Sequence, residues 1–204
     1  MTNISRVLRV LMILIVVAAC SATLGISQGG GQGRGGGGGR GPAVPPIIMT
    51  TTAFEDGGVI PAKFVGQMGV SPELKWTQIP PGTQSLVLLM HDPEPSLNRS
   101  LLDVTHWLVW NIPATSTGLA EGLMAAPELP DGTRQVSLRS NGYMGPGAGP
   151  GPYHHYTFEL FAVDTSVDVP QATPQQAADT RAAVMKAIDG HILGKAVLVG
   201  RFHQ

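Results

Sequence analysis

Short apolar runs separated by turn residues make up most of the chain after residue 46. Proline and glycine stand in nearly every gap, as in Ile79-Pro80-Pro81-Gly82 and Asp131-Gly132. Short runs punctuated in this way are typical of antiparallel sheets rather than of alternating βαβ units. We therefore predict a mostly β fold. The predicted strands cover residues 47–54, 85–90, 105–112, 156–163 and 196–202.

One helix is predicted near the C-terminus. Thr173 can cap it, Pro174 suits its first turn and Gln176 completes a possible capping box. Apolar residues recur along one side of residues 177–188 at helical spacing, and Asp189-Gly190 is a plausible end. The apolar face predicts that this helix packs against the sheet.

The first 20 residues have the form of a signal peptide. Arg6 and Arg9 precede an apolar run over residues 10–19, which has the length of a signal-peptide core and is short for a membrane span. Cys20, the only cysteine, follows Val-Ala-Ala and resembles the lipobox cysteine of bacterial lipoproteins. Two readings stay open: lipidation and membrane anchoring at Cys20, or a plain secretory signal that is cleaved beyond it. Either predicts export from a bacterial cell, to the membrane surface or to a periplasmic or secreted location.

Residues 21–46 are rich in glycine and nearly free of apolar side chains, which predicts a flexible tether. The predicted folded domain is 47–204. Four of the 13 Lys and Arg precede it, so nine remain against all 14 Asp and Glu, a net charge near −5. This balance argues against a nucleic-acid partner.

A glycine-proline loop over residues 142–153 runs into the strand that begins near His154. Glycine lets the backbone come close to a ligand, and proline stiffens the loop. We therefore expect backbone N–H groups of this loop to face a bound anion. The chain ends at residue 204 directly after an apolar strand, and we expect an open site.

Strand alternation sorts the polar residues that could line such a site. His154 and Tyr156 should share a face, with His155 on the other. By the same rule, His106 should share a face with Leu108 and Trp110.

An acidic segment, Asp92-Pro93-Glu94-Pro95, follows the apolar run 85–90. The two prolines predict a sharp turn that holds Asp92 and Glu94 at the lip of the sheet.

Taken in series, these segments resemble the phosphatidylethanolamine-binding protein (PEBP) family, in its bacterial Raf kinase inhibitor-like branch. The resemblance spans about residues 71–202. It rests on Asp92-Pro93-Glu94-Pro95, on 106–113 (His-Trp-Leu-Val-Trp-Asn-Ile-Pro), on 142–146 (Gly-Tyr-Met-Gly-Pro) and on His154-His155-Tyr156.

The resemblance implies a central antiparallel sheet, a smaller second sheet and a small cavity for phosphate or phospholipid head groups. We predict no cofactor, metal or catalytic residue, and Glu94 is a possible accessory residue. The implied ligand-binding residues are Asp92, His106, Gly145, Gly147, His154 and Tyr156.

Two other functions stay open. Relatives in this family that inhibit kinases or proteases suggest a protein-interaction module, with an unknown partner. Alternatively, His106, His154 and a carboxylate could form a metal site or act as acid and base in a hydrolase. For the binding function, a hydrogen bond from a histidine to Asp92 would favour imidazolium, so we expect anion affinity to rise as pH falls.

Overall fold

The structure is a computed structural model that describes residues 46–67, 69–97, 99 and 101–204. Within these residues it contains nine strands, two short 3-10 turns at Ala62–Phe64 and Pro174–Gln176, and one α-helix, α1, at Ala177–Ile188. The strands are β1 (Ile48–Thr50), β2 (Gly58–Val59), β3 (Leu74–Thr77), β4 (Ser85–Leu97), β5 (Leu102–Pro113), β6 (Gly118–Leu119), β7 (Arg134–Val136), β8 (His154–Val163) and β9 (Ile192–Phe202).

The strands form two sheets, as predicted. The larger has six strands in the order β2-β9-β8-β4-β5-β7, and the smaller has three in the order β1-β3-β6. All pairs are antiparallel except the short contact of β2 with β9, which is parallel. The large sheet is therefore mixed rather than wholly antiparallel.

The central part of the large sheet is buried on both faces. One face packs on the small sheet, where Trp76 of β3 joins Leu88, Trp107 and Phe158 in one apolar cluster. The other packs on α1, whose buried residues include Val184 and Ile188. Burial on both sides explains why β4 and β5 contain continuous apolar runs, whereas β8 alternates polar and apolar residues over its first half.

A β-bulge in β5 places His106. The register passes from Met90 opposite Trp107 to His91 opposite Thr105, so His106 is an extra residue between two ladder pairs. An extra residue breaks the two-residue alternation of side chains. Two consecutive side chains, His106 and Trp107, consequently point to the side of the small sheet.

The prediction that His106 shares a face with Leu108 and Trp110 was therefore wrong. Both of those residues pack under α1. The ring of His106 instead contacts Tyr156, which belongs to the cluster on the opposite side. The bulge is a tertiary feature that the local residue pattern does not indicate.

The acidic segment also differs from its prediction, because β4 continues through Asp92-Pro93-Glu94-Pro95 to Leu97. Pairing of β4 with β8 ends at His91 opposite Thr157, so neither proline removes a bond from that ladder. The segment still carries its carboxylates to the edge of the packed region, on an extended strand instead of a turn.

The predicted helix is confirmed. A 3-10 turn at Pro174–Gln176 leads into α1, and the backbone N–H of Thr173 donates to Gln176 Oε1 at 3.1 Å. The buried residues of α1 are Ala177, Thr180, Val184 and Ile188, one face at helical spacing.

The predicted signal peptide at 1–20, its Cys20 and nearly all of the tether at 21–46 lie outside the described residues. Among the described residues, no helix is both long and apolar enough to cross a membrane.

Asn111 anchors a second irregularity in β5. It has a φ of 57°, and its side-chain amide donates to Val167 O at 3.0 Å while its Oδ1 accepts from Val167 N–H at 2.8 Å. Asparagine tolerates this left-handed conformation better than most residues. The residue thus ties the sheet to the segment that precedes α1.

We expect Asn111→Ala to lower the free energy of unfolding by about 3 kcal/mol, from two lost hydrogen bonds and a strained φ. Asn111→Gly loses the same bonds without that strain and should be about 1 kcal/mol less destabilised than the alanine variant. Urea unfolding measures both. An alanine variant at least as stable as the glycine variant would contradict the backbone argument.

Candidate functional site

A cavity of about 550 Å³ opens where β4, β5 and β8 meet the glycine-proline loop. All six predicted ligand-binding residues line it. Its volume is typical of sites for small molecules. The lining residues are Gly66, Gln67, Asp92, Pro95, Leu97, Val104, His106, Leu138, Arg139, Met144, Gly145, Gly147, Ala148, Gly149, His154 and Tyr156.

Asp92 and His154 form the polar centre of the inner wall. His154 Nδ1 lies 2.7 Å from Asp92 Oδ2, and the backbone N–H of Glu94 donates to Asp92 Oδ1 at 3.1 Å. Asp92 is only 3% exposed. Burial, followed by the neighbouring Glu94 carboxyl, raises the pKa of Asp92, against the hydrogen bonds from His154 and Glu94. This pair confirms the expected contact of a histidine with Asp92.

Glu94 does not line the cavity and instead pairs with His155. His155 Nδ1 lies 2.7 Å from Glu94 Oε1, and the His155 N–H donates to Glu94 Oε2 at 3.1 Å. Burial would raise the pKa of Glu94, but its hydrogen bonds with Asp92 and His155 lower it to about 2. Glu94 thus acts on the cavity only through Asp92, and His155 points away from the cavity, as alternation predicted.

His106 is held by the backbone of the loop. Its Nδ1 lies 2.8 Å from Met144 O, and a carbonyl can only accept, so Nδ1 carries a proton. Burial lowers the pKa of His106 to about 4, although the Met144 and Gly145 carbonyls act in the opposite direction. The ring is therefore neutral near pH 7, with its lone pair on Nε2. Its plane lies at 88° to that of Tyr156, with 5.0 Å between the ring centres.

Tyr156 fastens the glycine-proline loop. Its hydroxyl oxygen accepts the backbone N–H groups of Gly147 at 3.3 Å and Ala148 at 3.2 Å. Burial, followed by the charge of Asp92, raises the pKa of Tyr156 to about 12, so the hydroxyl stays protonated. The expectation that the Gly147 N–H faces an anion is thus not met in this structure, because that group is used within the protein.

The same holds for Gly145, whose N–H donates to Gly66 O at 3.1 Å. The two glycines have different roles. A Cβ on Gly145 would lie 2.3 Å from Phe64 O, whereas one on Gly147 would meet no atom within 4 Å. Gly145 therefore permits close packing of the loop, and Gly147 borders open cavity space.

Two polar residues of the rim were missed by the sequence analysis, namely Arg139 and Gln67. Both are exposed, and Arg139 has no ion-pair or hydrogen-bond partner among the described residues. Arg139 lies outside the quoted family segments, in a stretch with no pattern of its own. The sequence analysis also did not predict the apolar part of the lining, which includes Leu97, Val104 and Leu138.

A chain of ion pairs occupies the opposite face of the sheet. His91 Nδ1 lies 2.7 Å from Asp103 Oδ2, and its Nε2 lies 3.6 Å from Glu159 Oε2. Asp103 also pairs with Arg181, and Glu159 with Lys195. This network acts through the sheet on the pKa of His106: His91 lowers it and Asp103 raises it.

A sequence model described as "Phosphatidylethanolamine-binding protein" matches residues 50–203. The chain belongs to this family. Among its members, a UPF0098 protein of Methanothermobacter thermautotrophicus is 37% identical over 161 residues, which are 76% of this chain and 98% of that protein. A UPF0098 protein of Chlamydia pneumoniae is 34% identical over 160 residues, again 76% of this chain and 98% of that protein.

Solved structures of the PEBP family share the fold. The PEBP homolog CT736 of Chlamydia trachomatis superposes with a TM-score of 0.62 at 28% identity, over 78% of this chain and 98% of that one. YbcL of E. coli superposes with a TM-score of 0.63 at 24% identity, over 78% of this chain and 99% of that one.

One group of side chains in this PEBP-family domain could converge on a metal ion. Ligand atoms of Asp92, Glu94 and His154 lie within 4.8 Å of one another. This set differs from the two-histidine set considered from the sequence, because His106 is not part of it. To bind the ion through these atoms, His154 would have to give up its 2.7 Å hydrogen bond with Asp92. Glu94 would have to give up its 2.7 Å hydrogen bond with His155.

We expect Gly145→Ala to lower the free energy of unfolding by about 2 to 3 kcal/mol, because its Cβ would be forced against backbone. Gly147→Ala is the matched control and should change it by less than about 0.5 kcal/mol. Thermal and urea unfolding measure both. Equal effects of the two substitutions would contradict the assigned roles.

His106 should make the protein less stable as pH falls. Its pKa is about 4 when folded and 6.5 in a free histidine, so the unfolded chain binds more protons between these values. Its contribution is fully present above pH 6.5 and is lost toward pH 4, at about 1 kcal/mol per pH unit. Urea unfolding at pH 4.5, 5.5 and 6.5 measures the slope.

His106→Asn keeps an N–H for Met144 O but no longer titrates. The variant should therefore show a shallower decline of stability over the same pH range. An unchanged slope would assign the decline to other groups.

Proposed function

We propose that this domain binds a small phosphate-bearing molecule or a phospholipid head group in the cavity. The observation that carries the proposal is the meeting of Asp92, His106, His154 and Tyr156 at one wall of a cavity whose rim carries Arg139. No other cation lines this cavity among the described residues.

The division of the cavity supports an ester rather than a bare ion. Its lining combines the polar groups of Asp92, His154 and Tyr156 with a set of apolar side chains that includes Val104 and Leu97. The whole space, about 550 Å³, is several times larger than one phosphate group. Phosphate at the polar groups would leave the apolar side chains for carbon atoms of the ligand.

Arg139 can supply the positive charge that an anion requires, since a guanidinium binds phosphate oxygens through paired N–H donors. The Tyr156 hydroxyl retains its proton, and a ligand at this wall would compete with the Asp92 carboxyl to accept it. The membership in a family described as phosphatidylethanolamine-binding supports the same ligand chemistry.

We also propose that the protein is exported and anchored by a lipid on Cys20, with the head-group site held near the membrane by residues 21–46. The arginines and apolar run before Cys20 support this proposal. Mass spectrometry of the N-terminus of the mature protein tests it: acylated Cys20 is expected, and an unmodified N-terminus beyond Cys20 would contradict the anchor.

Calorimetry with phosphoethanolamine and with inorganic phosphate tests the binding function. We expect the Arg139→Gln variant to bind about 3- to 10-fold more weakly, because one charged hydrogen-bond partner is lost. Lys186→Gln removes the same charge from the exposed side of α1, away from the cavity, and should leave affinity unchanged. Gly147→Leu should block the cavity and reduce binding further.

No measurable binding of either compound to the wild-type protein would overturn the proposal. Equal losses in the Arg139 and Lys186 variants would show that net charge, not the cavity, controls affinity.

A further inference from the structure

A group of polar and aromatic side chains lies on the face of the large sheet opposite the cavity. In the register of β8 and β9, His155 lies opposite Arg201. Tyr153 directly precedes β8 and His203 directly follows β9. Since His154 lines the cavity, strand alternation places its neighbours on the other face. We call these four residues the β8-β9 cluster: Tyr153, His155, Arg201 and His203.

Tyr153 is the central member of the β8-β9 cluster. Its ring centre lies 4.1 Å from that of His203, with 77° between the ring planes. Cζ of Arg201 lies 5.2 Å from the same ring centre, within the range of a cation–π interaction. Two side chains of neighbouring positions on β9 therefore converge on one aromatic ring.

The two basic side chains that contact Tyr153 have unpaired nitrogen atoms. Nε of Arg201 and Nδ1 of His203 are buried and have no hydrogen-bond partner among the described residues, a state shared there only by Asn141 Oδ1. Buried polar groups are normally hydrogen-bonded, and buried charges are normally paired. Two unpaired nitrogen atoms in one cluster therefore point to a group that binds there from outside the chain.

The acidic residues on either side of the cluster are engaged elsewhere. On the β4 side, both carboxylate oxygens of Glu94 are hydrogen-bonded to His155. On the β2 side, Asp56 accepts the backbone N–H of Val199 at 2.9 Å. Arg201 has no ion pair with either of them, nor with any other described residue. Its positive charge is consequently left without an anionic partner.

We propose that the β8-β9 cluster is a second binding site, specific for an oxyanion, that is, a phosphate or carboxylate group. A guanidinium binds such groups through paired N–H donors, and a protonated ring nitrogen of His203 supplies a further donor. The site and the cavity lie on opposite faces of the same strands, so one ligand group cannot occupy both. This inference therefore goes beyond the proposed function and does not depend on it.

NMR titration of the ¹⁵N-labelled wild-type protein at pH 7 and constant ionic strength tests the second site. Inorganic phosphate and acetate are the two probes. With at least one of them we expect saturable shifts of the Arg201 Nε–H signal and of the Tyr153 and His203 backbone signals. Tighter binding of phosphate assigns the site to phosphate groups, whereas acetate that binds as tightly assigns it to carboxylates.

Arg201→Gln is the diagnostic variant and should weaken binding at the cluster about 10-fold, because the charged hydrogen-bond donor is lost. Arg99→Gln is the matched control, since it removes the same charge from the exposed turn between β4 and β5 and should leave the affinity unchanged. Gly147→Leu, which should block the cavity, is expected to leave the shifts at the cluster unchanged.

Three results would overturn the second site: shifts confined to residues of the cavity, shifts at the cluster that do not saturate, or equal losses in the Arg201 and Arg99 variants. The first of these leaves the proposed function of the cavity intact. Shifts at the cluster without shifts at the cavity would support the second site and contradict phosphate binding in the cavity. Because each signal belongs to one residue of the wild-type protein, the two sites are distinguished even if a variant does not fold.

Discussion

The arrangement of this domain depends on one constraint, the change of register in β5 at His106. The central part of the large sheet is buried on both faces, so β4 and β5 must supply apolar side chains to both sides there. A regular β5 would send His106 to the α1 side of the sheet, away from the loop carbonyl of Met144. The bulge turns it toward the loop, where Met144 accepts its proton.

Two side chains that line the cavity, His106 and Tyr156, hold the glycine-proline loop in place. His106 bonds to the carbonyl of Met144, and Tyr156 collects the N–H groups of Gly147 and Ala148. A segment rich in glycine would lose much conformational entropy on ordering, and these bonds compensate part of that loss. One wall of the cavity is consequently held by hydrogen bonds within the protein.

Much of this could be read from the sequence, and the failures have physical causes. Turn residues and apolar runs were sufficient for the β class and for α1, since these signals are local. The residues of the cavity were predicted from the family resemblance, which rests on several motifs in series. Strand alternation alone would have placed His106 on the wrong face of the sheet. Local patterns could not show that β4 passes through two prolines, since that depends on where its partner strand ends. Local patterns could not predict that Arg139 lies at the cavity either, because its position there depends on how distant segments fold around it.

His91 and Asp92 are neighbours in the chain but belong to different electrostatic environments. Asp92 faces the cavity, while His91 joins the ion pairs on the far side of the sheet with Asp103 and Glu159. A single layer of backbone separates the two, and across it the charge of His91 lowers the pKa of His106 while that of Asp103 raises it. The sheet thus separates these charged groups in space without isolating them electrostatically. Residues that do not line the cavity thus contribute to the pKa of His106, so the electrostatic surroundings of the site extend to the other face of the sheet.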